Sequence, residues 1–108
     1  MGDYLYPKDA RKFYPKLMDL NKDLFNSFMA FNQKAFEEGA LSIKVKELIA
    51  IATAHITRCP YCIEGHTKKA KQAGATDEEI GEAIFVAMAM SAGASLAHST
   101  IAMESLEK

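Results

Sequence analysis

Apolar residues in the first third of the chain return every three or four positions. Within "YPKLMDLNKDLFNSFMAFNQKAFEEG" they fall at Leu17, Leu20, Leu24, Phe28, Phe31 and Ala35, the spacing of one helical face. Gly39 stands beyond this run, where a helix C-terminal cap belongs. Ser42 precedes "IKVKELIAIATAHIT" and can cap that helix through its hydroxyl. Pro60 suits the first turn of a further helix, because its missing N–H would be unpaired there in any case; this helix runs toward Gly74. Thr76 and Glu79 in "TDEE" match a capping box and open another helix. Gly93 is expected to break or bend the apolar tail into two. No segment sustains strand alternation, so the expected class is all-α, about six helices in a single domain spanning 1–108.

Residues 83–103 contain no Asp, Glu, Lys or Arg and approach transmembrane length. Alanine, serine, threonine, Gly93 and His98 dilute the run, and a charged helix start precedes it. Small residues let helices approach closely, so this segment reads as core plus subunit interface and not as a membrane span. The chain is 49% hydrophobic, and the N-terminal phenylalanines with the alanine-rich tail exceed what one modest core needs. Self-association is the expected outlet.

A formal net charge of -1 argues against a nucleic-acid surface, which carries a basic excess. The opening "MGDYLYPKDARKFY" lacks a cationic segment followed by an apolar run, so no signal peptide is expected and the expected location is the cytoplasm. In a reducing compartment, two close cysteines are more often redox-active or metal-binding than a permanent staple. The chain's two cysteines lie in "TRCPYCIEGH".

With the helix starting near Pro60, Cys59 is its N-cap and Cys62 lies in its first turn. Free backbone amides and the positive end of the helix dipole favour a thiolate there. Such settings bring a cysteine pKa from about 8.5 into the range of roughly 3.5–7.5. The thiolate attacks peroxides and disulfides, and a second sulfur in reach resolves the oxidised one to a disulfide. His66 follows Cys62 by four residues and Cys59 by seven, so it shares their helix face and can serve either sulfur as base. A zinc site would need His55 or His98 to complete four ligands, since no second cysteine pair exists. A structural disulfide and two inert packed cysteines are the other bland readings.

Glu47 shares a helix face with Ile43, Ala50, Ile51 and Ala54. Lys44, Lys46 and Arg58 could pair with it at the surface, where it would be an ordinary helix-start carboxylate. If buried, it becomes a candidate proton acceptor. His55 and His98 sit among apolar residues and read as satisfied core histidines.

The spacing Glu47, eleven residues, Cys59, two residues, Cys62, three residues, His66 resembles the alkylhydroperoxidase AhpD-like branch of the carboxymuconolactone decarboxylase family. "GALSIKVKELIAIATAHI" and "HTKKAKQAGATDEEIGEAIFVA" support the likeness, which runs from about Leu17 to Ala97. The resemblance implies an all-helical fold assembling as trimers or hexamers, and a cofactor-free thiol peroxidase or disulfide reductase. It implies Cys62 as the sulfur attacked by peroxide, Cys59 as the resolving partner, and His66 and Glu47 as members of the proton relay. Its partners would be a hydroperoxide and a dithiol or protein reductant. Well-studied members carry a histidine between the cysteines, where this chain has Tyr61. Two alternatives accompany this reading: a decarboxylase-like lyase acting on a lactone acid, and a non-enzymatic thiol redox sensor.

Overall fold

The computed structural model describes residues 6–108, which form five α-helices and one 3-10 turn, with no strand among them. They divide into two compact units, the first ending at Glu37 and the second running from Glu38 to Lys108.

The first unit contains the 3-10 turn Ala10–Phe13, α1 (Tyr14–Leu20) and α2 (Lys22–Ala35). The long N-terminal periodicity is therefore two helices and not one. Asn21 makes the break: its backbone is extended, and its side-chain oxygen accepts from the Leu24 N–H at 3.1 Å, capping α2. Asparagine is among the best residues for that position. The Tyr14 and Phe25 rings meet edge-on at 6.3 Å across the two helices. Gly39 does not cap α2, which already ends at Ala35 with Phe36 as its C-cap.

The second unit packs α3 (Ile43–Thr57), α4 (Pro60–Gln72) and α5 (Asp77–Ser105) together. Each boundary has a local cause. The Ser42 hydroxyl accepts from the Val45 N–H at 3.1 Å and opens α3. Arg58 closes α3 in the left-handed region at φ 61°, and the Cys59 N–H reaches back to the Ala54 carbonyl, the reversal of a Schellman cap. Gly74 does the same for α4 at φ 93°, a conformation that glycine adopts without steric cost. The capping box at α5 is complete: Thr76 Oγ1 accepts from the Glu79 N–H, and Glu79 Oε1 accepts from the Thr76 N–H. Glu79 Oε2 also takes the Lys44 ammonium at 2.9 Å, tying the start of α5 to the first turn of α3.

Gly93 neither breaks nor bends the tail into two helices; α5 is continuous for 29 residues. An isolated glycine costs a helix about 1 kcal/mol relative to alanine, too little to stop a segment otherwise rich in alanine, methionine and leucine.

The core is small. Ile51, Ala70 and Ala75 are its buried centre, with Leu48, Ile80 and Ile84 packed against it. Ile51 is fully buried, the kind of position where truncation to alanine costs about 2–5 kcal/mol. Alanines at the contacts, among them the buried Ala54 and Ala87, allow close approach of the helices. Most of the apolar tail lies outside this core: Phe85, Val86, Met88, Met90, Leu96, Ile101 and Met103 are exposed. So is His98, which is not a core histidine. Helix α5 is long and apolar enough to cross a membrane, and only 6% of its most apolar window is buried within the chain. The N-terminal stripe Leu17, Leu20, Leu24, Phe28 and Phe31 is exposed as well.

The capping box should be measurable. Thr76→Ala is expected to lower stability by about 1 kcal/mol in chemical denaturation. The Thr76 amide, with Lys44 beside it, holds the Glu79 carboxyl below the usual carboxylate range. A depressed folded-state pKa makes the contribution of ionised Glu79 complete above its unfolded pKa, about 4.3. It is lost as pH falls through the lower folded value. The stability gap between the native chain and Glu79→Gln should therefore close in acid and be constant at neutral pH.

Candidate functional site

The left-handed turn at Arg58 hands the chain from α3 directly into the cysteine pair. Cys59 is the N-cap of α4, with Pro60 in its first turn. Cys59 Sγ accepts from the Cys62 N–H at 3.2 Å. The two sulfurs are joined as a disulfide, with Cα atoms 5.3 Å apart. Placement at N-cap and first turn is the one expected from the position of Pro60. Both cysteines are half-buried, while Tyr61 between them is 39% exposed.

Glu47 lies on α3, nineteen residues before His66 in the chain, and the packing of α3 on α4 brings the two together. Glu47 Oε1 is 2.6 Å from His66 Nδ1. The residue is only 3% exposed, the one buried charged side chain among the described residues. A carboxylate accepts only, so His66 Nδ1 carries the hydrogen and donates it to Glu47. In this tautomer the opposite ring nitrogen, Nε2, carries a lone pair and no hydrogen. Cys62 is four residues from His66 on α4, a neighbouring position on one helix face.

The surface reading of Glu47 is thus replaced by the buried one, and two of its expected surface partners have other roles. Lys44 binds Glu79, and Arg58 closes α3. His55 is half-buried, with Nδ1 2.8 Å from the Ile51 carbonyl, a bond within its own helix. Neither His55 nor His98 joins the cysteines in a ligand set: among the described residues, no group of three or more His, Cys, Asp or Glu could hold a metal ion.

Behind Glu47, away from the cysteine end of α4, a cleft of about 600 Å³ opens between the first turns of α3 and the last turns of α4. Glu47 forms part of its wall. Sequence reasoning missed this cleft. Its residues come from two segments some thirty positions apart, and no motif links them.

The chain is similar to known proteins. Protein 4 in the cox locus of Paracoccus denitrificans is 49% identical over 83 residues, covering 77% of this chain and 75% of that one. The crystal structure of a carboxymuconolactone decarboxylase family protein from Legionella pneumophila, solved in its apo form, superposes with a TM-score of 0.72. It is 36% identical, and the match covers 93% of this chain and 89% of that one. A protein from Methanobacterium thermoautotrophicum gives a TM-score of 0.74 at 29% identity, covering 79% of this chain and 96% of that one. The sequence model of the carboxymuconolactone decarboxylase family spans residues 22–105, from the first residue of α2 to the last of α5, and the chain belongs to that family.

Proposed function

We propose that the protein is a thiol-dependent peroxidase and disulfide oxidoreductase of the AhpD-like kind, working through Cys59 and Cys62. The observation that carries this reading is the buried Glu47 carboxylate paired with His66, one helical turn from a cysteine pair already able to close as a disulfide.

The chemistry follows from the placement. His66 Nε2 takes the Cys62 proton, and Glu47 stabilises the imidazolium through Nδ1–H. The first-turn amides and dipole of α4 favour the thiolate further. The Cys62 thiolate attacks one oxygen of a hydroperoxide, ROOH, and the O–O bond breaks. The alkoxide leaves as ROH with the imidazolium proton, and Cys62 becomes a sulfenic acid. Cys59 then displaces the sulfenic oxygen as water, closing the disulfide. Two electrons have passed from the sulfurs to the peroxide. An external dithiol or protein reductant returns them with two protons, by exchange through a mixed disulfide. The cytoplasm, a reducing compartment, would supply it. No cofactor takes part in any of these steps.

Cys62 is assigned the attack although Cys59 lies nearer the free amides. A base in reach of one thiol activates it more selectively than a dipole shared by the whole turn. Exposure of the adjacent Tyr61 leaves the Cys59 end of the turn open to a reductant. With a sulfenic-acid trap and peroxide, Cys59→Ser should accumulate trapped sulfenate at Cys62 in mass spectrometry, and Cys62→Ser should react slowly. The reverse pattern would give the attack to Cys59. Continuous peroxide consumption with a dithiol distinguishes an enzyme from a sensor that reacts once.

Glu47→Gln should fold, because an amide oxygen can still accept from His66, but it no longer offsets an imidazolium charge. The pH midpoint of thiol reactivity, read by stopped flow, should therefore rise. An unchanged midpoint would leave Glu47 a purely structural group.

The exposed apolar faces of α5 and of the N-terminal helices would be covered by further copies of this chain, as a trimer or hexamer. Light scattering at micromolar concentration should report at least three times the 11.9 kDa chain mass. A monodisperse 11.9 kDa species would contradict this assembly.

A further inference from the structure

The cleft behind Glu47 has a charge arrangement that is almost, and not quite, self-satisfied. Glu38, at its rim, accepts from the Ile43 N–H at 3.3 Å. The Lys44 ammonium is held by Glu79 at 2.9 Å. Glu47 holds His66 through Oε1. Lys69, on the α4 wall, has no carboxylate partner among the described residues. Gln72, three residues further along α4, adds an amide to the same wall. Ile43 supplies an apolar patch between these groups. At about 600 Å³, the space is of the size that small-molecule sites occupy.

A ligand fitting this arrangement brings one negative group to Lys69 and Gln72, an apolar body to Ile43, and a hydrogen-bond donor to the Glu47 carboxylate. The charges facing Glu47 decide what kind of donor. His66 of α4 donates to it, Lys69 of α4 and Lys44 of α3 line the same cleft, Lys44 is held by Glu79 of α5, and Glu38 is already bonded to an α3 amide. His66 already donates to Glu47, and Lys69 is the unpaired cation of the same wall, so a neutral hydroxyl completes the Glu47 carboxylate without setting an ammonium beside Lys69. We propose that this cleft binds a small aliphatic hydroxy acid, and that its occupancy is felt at Cys62 through Glu47 and His66.

The sign of the effect can be worked out. A hydroxyl donating to Glu47 draws on the charge that stabilises the imidazolium of His66. The ligand's own carboxylate adds a negative charge on the same side. That carboxylate is offset by Lys69, so the hydroxyl decides the sign: the imidazolium loses support, the Cys62 thiolate becomes less favourable, and a bound hydroxy acid would slow attack on peroxide. The coupling rests on the relay proposed above; the binding does not.

Titration of the intact chain with 3-hydroxybutyrate, followed by ligand-observed NMR and calorimetry, tests the site. Butyrate lacks the donor, 1,3-butanediol lacks the charge, and 3-aminobutyrate carries an ammonium donor. Each should bind about tenfold more weakly, the scale of one lost charge-assisted or buried hydrogen bond. Lys69→Met should weaken 3-hydroxybutyrate by about tenfold, while Lys69→Arg should restore most of the affinity. Thiolate absorbance against pH, on the reduced chain, should shift upward with saturating 3-hydroxybutyrate, and the shift should vanish in Lys69→Met. Equal binding of butyrate, tighter binding of 3-aminobutyrate, or affinity unchanged in Lys69→Met would overturn the assignment. Binding without a thiol shift would overturn the coupling. A chain whose thiols ignore peroxide altogether would instead sink the peroxidase reading, with the binding result still standing on its own.

Discussion

Glu47 reaches His66 across the α3–α4 contact at 2.6 Å, and the rest of the second unit is arranged so that this bond can exist. A carboxylate taken out of water costs several kcal/mol unless a partner meets it. Removing one member of such a pair costs about 3–5 kcal/mol, because the other is left buried and uncompensated. The pair therefore constrains the helices as much as it serves chemistry. Helix α3 must present Glu47 inward at its second turn, and α4 must run back alongside it with His66 at the matching height. Ile51, one turn beyond Glu47, and Ala70, one turn beyond His66, are the two core residues with no exposed surface among those described. They lie next to the pair because the same contact buries them together with Glu47.

The reversal between the two helices sets that height. Arg58 takes a left-handed conformation that most side chains avoid, at an order of 1 kcal/mol or more. The turn is correspondingly tight, leaving one residue, Cys59, between the cap of α3 and the first residue of α4. Cys59 cannot be anything but the N-cap, and Cys62 must fall in the first turn. The redox pair and the proton-accepting pair are thus placed by one backbone event, with α4 carrying His66 one turn past Cys62.

The smallness of the core is the counterpart of this economy. Alanine at the helix contacts permits close packing but buries little area per residue, at roughly 25 cal/mol per Å² of apolar surface. What the second unit does not bury is displayed along α5, whose uncharged face is mostly outside the chain's own core. The same residues that make α5 a good long helix make it a poor solvent-facing one.

Local signals were legible in the sequence because they are satisfied locally. Ser42, Thr76 with Glu79, and Pro60 each bond or constrain atoms within four residues, so the starts of α3, α4 and α5 could be read directly. The placement of Cys59 and Cys62 in the first turn, and the shared face with His66, followed from the same helix. Three boundaries were misread for equally local reasons, one of them the end of α2, which Phe36 closes before Gly39. Asn21 capped a helix inside an unbroken apolar period, and Gly93 was too weak a breaker for its alanine-rich setting. Whether Glu47 was solvated or buried could not be read at all, since its own helix offered both an apolar face and nearby lysines. Only the docking of α3 on α4 decided it. That contact joins residues nineteen apart by burying them together, and the cleft beyond it exists for the same reason: a helix period says which residues share a face, while tertiary packing alone says what that face meets.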